Sequence, residues 1–240
     1  MKKTLLLSTA LVALAMPALA QNYEAQQGQS MAAQIQPVQD PVMEQIAYLQ
    51  NEWARIKYQM PDENAQLSAI HTLEAHAAKV TATYANRAEP KIWEAIILST
   101  EAGIVKGMSA LPKVKQAKEL LEAAERIDTN ALEGSAHTSL GSLYYQVPGW
   151  PVGFGDDEKA EKHLKHALQI NPAGIDPNFF YGDFLLQDNR YDEAKTYLDR
   201  ALQAPARPGR ELADAGRRQE IKAALAKVGE KLNSKGKQFN

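Results

Sequence analysis

The sequence predicts an all-α protein in which pairs of helices stack into a superhelical solenoid, and three observations support this fold class. Apolar residues recur at helical spacing along most of the chain after residue 39. Proline follows an acidic residue where several of these stretches begin. One pattern of small and large apolar residues also occurs twice at an interval of 34 residues: Ala160, Leu164 and Ala167, then Ala194, Leu198 and Ala201.

A fixed interval of 34 residues is the signature of the tetratricopeptide repeat, a helix–turn–helix unit. The helices of such a unit approach closely, and alanine leaves room where a larger side chain would push the backbones apart. Gly141 and Gly182 lie inside the preceding helices and indicate the same close packing, with Tyr144 and Leu185 three residues further on. Because such solenoids bind other molecules and seldom catalyse reactions, we expect a binding protein and not an enzyme.

The N-terminus predicts export. Residues 1–20 combine two lysines, an apolar stretch over 5–16 and the motif Ala18-Leu19-Ala20, which is typical of a cleavable secretory signal. The apolar stretch is short for a bilayer span, so we expect no membrane anchor after cleavage, the alternative being an uncleaved anchor. Residues 21–38 are rich in glutamine and alanine and predict a flexible leader. The expected location is the periplasm.

Composition argues against several classes of function. The 27 basic and 29 acidic residues give a net charge of −2 without a basic stripe, so we expect no nucleic-acid partner. The chain has no cysteine, which excludes disulfides, thiolate metal sites and lipid attachment to a cysteine. The sequence contains no glycine-rich phosphate loop and no recognisable pair of nucleophile and base. We therefore expect no catalytic residues and no cofactor.

The first helical pair, over residues 40–86, predicts a degenerate repeat. Asp40-Pro41 supplies a cap and a proline at the first helical position, and this helix ends near Met60-Pro61. A second helix is predicted over 62–84. Each helix carries one apolar stripe: Val42, Ile46, Leu49, Trp53 and Ile56, then Leu67, Ile70, Leu73, Ala77 and Val80.

Three further repeats are predicted at about 89–129, 130–172 and 175–205. Asn130 to Glu133 has the pattern of a capping box, and Asp156 or Asp157 is expected to cap the next helix. A helix over 209–232 is predicted to cover the end of the stack with a charged outer face, as a solenoid needs. Residues 233–240 are expected to fray.

The middle repeat carries an insertion of seven residues between Tyr144 and Ala160, within the stretch 147–156. Its prolines, glycines and aromatic residues predict a loop that holds one shape. Two interpretations are open, an aromatic plug that closes the side of the solenoid or a wall of a binding cavity. Our hypothesis combines them, with Phe154 buried as the anchor and Trp150 partly exposed toward the concave face.

Further candidate binding residues precede this loop or follow it. Tyr144 and Tyr145 stand directly before it. Phe179 and Asp183 share one row of a later helix, where they can line the concave surface or form a solvated edge.

Two polar clusters each have a functional and a structural interpretation. Arg210 and Arg217 belong to an arginine cluster at the start of the capping helix, which can bind an anion or form ion pairs with the last repeat. We favour the ion pairs. His163 and His166 lie one helical turn apart, a spacing that can bind a metal, but the sequence identifies no third ligand. We therefore assign them to a solvated face and expect no metal.

The loop and its flanks resemble a known family. From Leu143 to Asp157 the sequence is LYYQVPGWPVGFGDD, followed by Ala160 and Leu164 and then by Asn171-Pro172. This pattern resembles the tetratricopeptide T-component family associated with tripartite ATP-independent periplasmic (TRAP) transporters, over about residues 93–205. The resemblance implies a periplasmic helical solenoid with an internal cavity that associates with a solute-binding transporter partner. The chain departs from the family in lacking a lipidation cysteine.

Two functions from different classes remain open. The first is an exported protein-interaction scaffold, which in the version implied by the resemblance has a periplasmic solute-binding protein as its partner. The alternative is a periplasmic carrier that holds a small apolar or amphipathic ligand in a cavity beside Trp150. A carrier requires a closed apolar cavity, whereas a scaffold requires an open concave face with exposed aromatic residues.

Overall fold

The computed structural model describes residues 40–238, with side chains up to Ser234. The described residues form nine α-helices: α1 (Pro41–Gln59), α2 (Glu63–Thr83), α3 (Ala88–Val105), α4 (Leu111–Ile127), α5 (Ala131–Gln146), α6 (Asp157–Ile170), α7 (Ile175–Gln187), α8 (Tyr191–Gln203) and α9 (Glu211–Gln238). The predicted signal peptide and leader, residues 1–38, lie outside the described residues. None of the helices described here combines the length and the apolar character that crossing a membrane requires.

The helices from α3 to α8 pack as three pairs. The most extensive contacts join α3 to α4, α5 to α6 and α7 to α8, and smaller contacts join each pair to the next. This arrangement confirms the predicted all-α solenoid. One continuous apolar core extends from α3 to α9, and a second buried cluster joins α1 and α2 to α3.

The residues of the 34-residue pattern pack in the same way in two successive repeats. A Cβ atom added at Gly141 would stand 2.5 Å from Leu164 Cγ, and one added at Gly182 would stand 2.8 Å from Leu198 Cγ. The alanines of the pattern are completely buried in both repeats: Ala160, Ala167, Ala194 and Ala201. The two helices of each pair therefore approach too closely for any larger side chain at these positions.

Aspartate side chains cap three of the helices. Asp40 Oδ1 accepts a hydrogen bond from Val42 N at 3.0 Å, and Asp62 Oδ1 accepts one from Ala65 N at 2.7 Å. Asp156, one of the two residues expected to cap α6, does so through Lys159 N. Each bond satisfies a backbone N–H that has no partner within the helix.

The predicted capping box at the start of α5 is wrong. Leu132, Glu133 and Gly134 have φ angles of 48°, 56° and 76°, so the first turn is left-handed. Asn130 makes no side-chain cap, and the Glu133 carboxylate accepts a hydrogen bond from Asn171 Nδ2 at 2.8 Å instead. A capping box needs right-handed geometry in the first turn, which this backbone does not have.

Helix α9 extends further than the sequence predicts. It continues to residue 238, so most of the segment expected to fray, 233–240, is helical. It packs on α7 and α8, as a terminal cap should, and it also reaches α1. There, Gly216 lies against the ring of Tyr58 so closely that a Cβ would collide with the ring, and the Tyr58 hydroxyl donates to Glu220 Oε2 at 3.4 Å. The last helix is thereby joined to the first.

Candidate functional site

A groove of about 1610 Å³ is lined by the first helix of each unit, α1, α3, α5 and α7, together with α9. Polar side chains of α5 face it at helical spacing: Ser135, Thr138, Ser139, Ser142 and Gln146. This row was not predicted from the sequence. A polar stripe on the first helix of an otherwise apolar repeat is the signal that could have identified it.

Aromatic rings form the apolar part of the groove. Trp53 and Trp93 meet edge to face, with ring centroids 5.8 Å apart, and Phe179 and Phe180 meet in the same way at 5.1 Å. Trp53 Nε1 donates a hydrogen bond to Thr100 Oγ1 at 2.8 Å, which satisfies its polar edge. Phe179 was predicted to be a binding residue, whereas Trp53 was assigned only to the apolar stripe of its helix.

The predicted arginine cluster forms an ion-pair network at one end of the groove. Asp176 on α7 accepts hydrogen bonds from Arg207 Nη1 at 2.7 Å and from Arg217 Nε at 2.8 Å, and Arg207 also pairs with Asp214 at 2.6 Å. Burial alone would raise the pKa of Asp176, but Arg217 and Arg207 outweigh it and hold the pKa well below its ordinary value. Arg217 therefore forms ion pairs with the last repeat, as predicted. Its guanidinium also lies 4.5 Å from the centroid of the Phe179 ring.

Arg210 lines the groove and interacts electrostatically with Asp176 and Asp214, but it forms no hydrogen bond or ion pair with either of them. Its guanidinium lies 5.2 Å from the centroid of Trp93, and its Nε is buried without a hydrogen-bond partner. Within residues 40–234 no carboxylate forms an ion pair with it. Burial lowers the pKa of Arg210 and the neighbouring Arg207 lowers it further, yet a guanidinium remains charged at neutral pH. The groove thus contains a stacked cation whose charge is not neutralised by a direct partner.

Asp183 also lines the groove, and Tyr145 positions it. The Tyr145 hydroxyl donates to Asp183 Oδ2 at 2.8 Å, and Gln187 Nε2 donates to the same oxygen at 3.0 Å. Burial and the nearby Asp183 raise the pKa of Tyr145 well above its ordinary value, so the hydroxyl remains a donor. Tyr144 and Tyr145 themselves are not part of the groove lining.

The inserted loop lines the groove, but not through Trp150 or Phe154, the two residues that were predicted. Trp150, which was predicted to be partly exposed toward the concave face, is 90% exposed and does not line the groove. Phe154 is partly buried against Tyr144, edge to face at 5.8 Å, in keeping with an anchor. Pro148 and Val152 line the groove instead. Exposure of a single ring cannot be predicted from loop composition, because it depends on which side of the turn faces the repeat.

The two histidines on α6 are not simply solvated. His163 Nδ1 lies 3.1 Å from Nδ1 of His137 on α5, and Glu125 on α4 is close to both. Burial lowers the pKa of His137 to about 4, and the positive charges that His166 and His163 can carry add to the effect. The sequence analysis found no third ligand-type residue because these side chains come from three different helices.

Comparison with known proteins supports the repeat assignment. Residues 153–228 match the family model of the tetratricopeptide repeat. A solved structure from work on the functional characterization of Pseudomonas aeruginosa PilF is 14% identical, covers 79% of this chain and 92% of its own, and gives a TM-score of 0.33. No curated protein matches the chain. The family match covers residues 153–228, and the helix pairs observed across residues 40–238 show an all-α solenoid.

Proposed function

We propose that this protein is an exported interaction scaffold whose groove binds an extended apolar segment of a partner protein, including a carboxylate of that segment. Tetratricopeptide solenoids typically bind peptides and proteins along the concave face formed by their first helices. The observation that carries the proposal is Arg210, an unpaired cation stacked on Trp93 inside the groove.

The size of the groove favours a protein segment over a small molecule. Pockets for drug-sized ligands occupy roughly 300–1,000 Å³. The groove here measures about 1610 Å³ and is continuous across four helix pairs and α9. A small ligand would leave much of this volume filled with water, whereas an extended segment can contact the whole row of first helices.

The charges of the groove favour a segment with a carboxylate. Asp183 and Glu220 line the groove, but each is already held by hydrogen bonds or ion pairs. The Arg210 side chain forms no hydrogen bond or ion pair within residues 40–234, and a guanidinium binds a carboxylate through two parallel hydrogen bonds. Partial burial strengthens such a pair relative to one at the surface.

The more specific version of the proposal combines export with TRAP-type solute uptake. The signal-like N-terminus and the resemblance over residues 93–205 support it, and the partner would be a periplasmic solute-binding protein. N-terminal sequencing of the exported protein should begin at Gln21; a retained Met1 would contradict export by cleavage. Photo-cross-linking from position 108, where Met108 is exposed at the groove, should then capture the solute-binding protein in the periplasm.

The alternative of a small-ligand carrier has one observation in its favour. Contacts of α9 with α1 join the two ends of the helical stack, which restricts opening of the groove. If the protein is a carrier, native mass spectrometry of the freshly purified chain should detect a retained small molecule. A chain that carries none, yet binds peptides, supports the scaffold.

A fluorescence titration tests the groove directly. In a Trp150→Phe background the remaining tryptophans, Trp53 and Trp93, both lie in the groove and report binding. The probe is a short acetylated peptide with apolar side chains and a free terminal carboxylate, and its C-terminally amidated form serves as the reference. We expect the free carboxylate to bind at least about tenfold more tightly, because a hydrogen-bonded charge contributes about 1.5–3 kcal/mol.

A matched pair of arginine variants locates the effect. Arg210→Gln should remove the preference for the free carboxylate. Arg200→Gln should preserve it, because Arg200 also stacks on an aromatic ring, at 5.0 Å from the centroid of Tyr197, but is exposed outside the groove. Equal binding of the two peptides by the parent chain, or an unchanged preference in Arg210→Gln, would contradict the proposal.

A further inference from the structure

A second concavity lies away from the groove and is lined entirely by ionisable side chains. Its volume is about 210 Å³, and its lining consists of Glu125, His137, Lys162, His163 and His166. None of these five residues lines the groove. The pocket sits where α4, α5 and α6 converge, so its residues come from two successive repeats.

The distances within this pocket suit a metal ion. His137 Nδ1 lies 3.1 Å from His163 Nδ1 and 3.7 Å from Glu125 Oε1, and one ligand atom from each of the three residues lies within 4.8 Å of the others. Zinc–nitrogen bonds of 2.0–2.1 Å place two ligands of a tetrahedral ion about 3.3 Å apart. Two nitrogens at 3.1 Å are close to that separation before any adjustment.

Neighbouring side chains hold the two imidazoles in place. The ring of His166 stacks on His137 with centroids 4.1 Å apart, and the ring of Tyr144 stacks on His163 at 5.6 Å. His137 Nε2 lies 2.7 Å from Thr129 Oγ1. When Nε2–H donates to this hydroxyl, the lone pair of Nδ1 faces the pocket, and a hydrogen bond from the second ring nitrogen is what metal-binding histidines generally make.

One carboxylate borders the pocket as a candidate ligand. It belongs to Glu125, whereas Glu122, one turn earlier on α4, is paired with Lys118. Lys162 is the opposing charge, but it is exposed and can turn toward solvent. His137 is 2% exposed, so its ring is held in place by the surrounding helices.

We propose that Glu125, His137 and His163 bind one divalent transition-metal ion, with a water molecule at the remaining position. Two imidazoles and one carboxylate form a donor set that suits Zn²⁺, Ni²⁺ or Cu²⁺ better than Ca²⁺ or Mg²⁺. The bound ion would fasten α4, α5 and α6 to one another on the side of the solenoid away from the groove. The site would act on the rigidity of two successive repeats and does not depend on the function proposed for the groove.

Calorimetric titration of the tag-free, EDTA-treated full chain with ZnCl₂ tests the proposal. We expect one Zn²⁺ per chain. With free zinc at 100 times Kd, the Tm should rise by about 5–10 °C, since a ligand that binds only the folded state stabilises it. Substitution of Co²⁺ should give the intense visible absorption of a tetrahedral nitrogen–oxygen site.

Matched variants assign the ligands. Glu125→Gln and His163→Gln change partly exposed side chains, should fold, and should each weaken zinc binding at least about tenfold. His76→Gln removes a histidine elsewhere and should bind zinc like the parent chain. His166→Gln removes the stacking ring but no ligand and should retain the stoichiometry of one. The proposal is overturned if the parent chain binds no zinc, if binding survives both ligand variants, or if His166→Gln or His76→Gln loses it.

Discussion

Two kinds of interface hold this molecule together. Within the repeats, α5 meets α6 and α7 meets α8 through a glycine that faces a leucine, Gly141 with Leu164 and Gly182 with Leu198. Where α9 meets α1 and α7, ion pairs are added to apolar contacts such as that of Gly216 with the Tyr58 ring. There, Arg217 Nε donates to Asp176 Oδ1 at 2.8 Å across 41 positions of sequence. We refer to the contacts of α9 with α1 and α7 as the seam.

The difference shows that contacts inside a repeat protein can recur with the repeat, whereas contacts at its end occur only once. Apolar contacts between neighbouring helices recur with the period of the sequence, and each stabilises by removing apolar surface from water. The seam has no such period. Its ion pairs lose hydration when they are buried, so they stabilise only if every partner is in place, and they favour one arrangement of α9 over others. That arrangement also places Arg210 in the groove.

The largest expected effect is at the seam. Arg217→Met should lower the free energy of unfolding by about 3 kcal/mol, the low end for breaking a buried pair, because Asp176 keeps Arg207 as a partner. Urea denaturation measures the loss, and Arg200→Met, at an exposed arginine, should change little. Adding Asp176→Asn to Arg217→Met should restore part of the loss; a further additive decrease would contradict the pairing.

The repeat interior should respond to volume and not to charge. Ala167→Leu should lower the free energy of unfolding by about 1–3 kcal/mol, because both the residue and the space around it are buried. Ala201→Leu, at the equivalent position 34 residues later, should cost a similar amount. Gln169→Leu, which is exposed on the same helix as Ala167, is the control. A thermal melt of Ala167→Leu that matches the parent chain would refute the repeat register.

Acid should weaken the ion pairs that Asp176 makes in the seam. The folded-state pKa of Asp176 lies below its ordinary value of 3.8, so the unfolded chain binds this proton first as the pH falls. The stability that Asp176 contributes is present above about pH 5 and is lost as the pH decreases through the unfolded and then the folded pKa. One carboxylate changes stability by at most about 1.4 kcal/mol per pH unit. Urea midpoints between pH 6 and pH 2 should fall less steeply in Asp176→Asn; identical slopes would contradict this.

The smallest expected effect is at the exposed ring of the inserted loop. Trp150→Ala should change the free energy of unfolding by no more than about 0.5 kcal/mol, because the side chain is 90% exposed. Phe154→Ala should cost clearly more, since this ring packs on Tyr144. Paired thermal melts of the two variants measure the difference. A large loss for Trp150→Ala would mean that the ring is buried after all.

The sequence predictions were accurate where the contacting residues are close in sequence and failed where they are far apart. The helix pairs, the aspartate caps and the close packing at the alanines were predictable, since each depends on residues within one repeat. The start of α5 was not, because its left-handed turn has no local sequence signal and its Glu133 side chain bonds to Asn171, at the far end of the next helix. Phe179 and Asp183 were found as groove residues because they share a row, whereas the position of Trp150 required the folded loop.

The sequence by itself determined that this chain forms a solenoid of paired helices, because a 34-residue period of small and large apolar residues has one way to bury them. Tertiary structure decided what surrounds the groove and what lies outside it. It brought α9 back to Tyr58 on α1, left Arg210 unpaired beside Trp93, and gathered Glu125, His137 and His163 from three helices. Side chains so far apart in sequence are neighbours only once the helices have packed, since helix crossing geometry and not local pattern sets their separation.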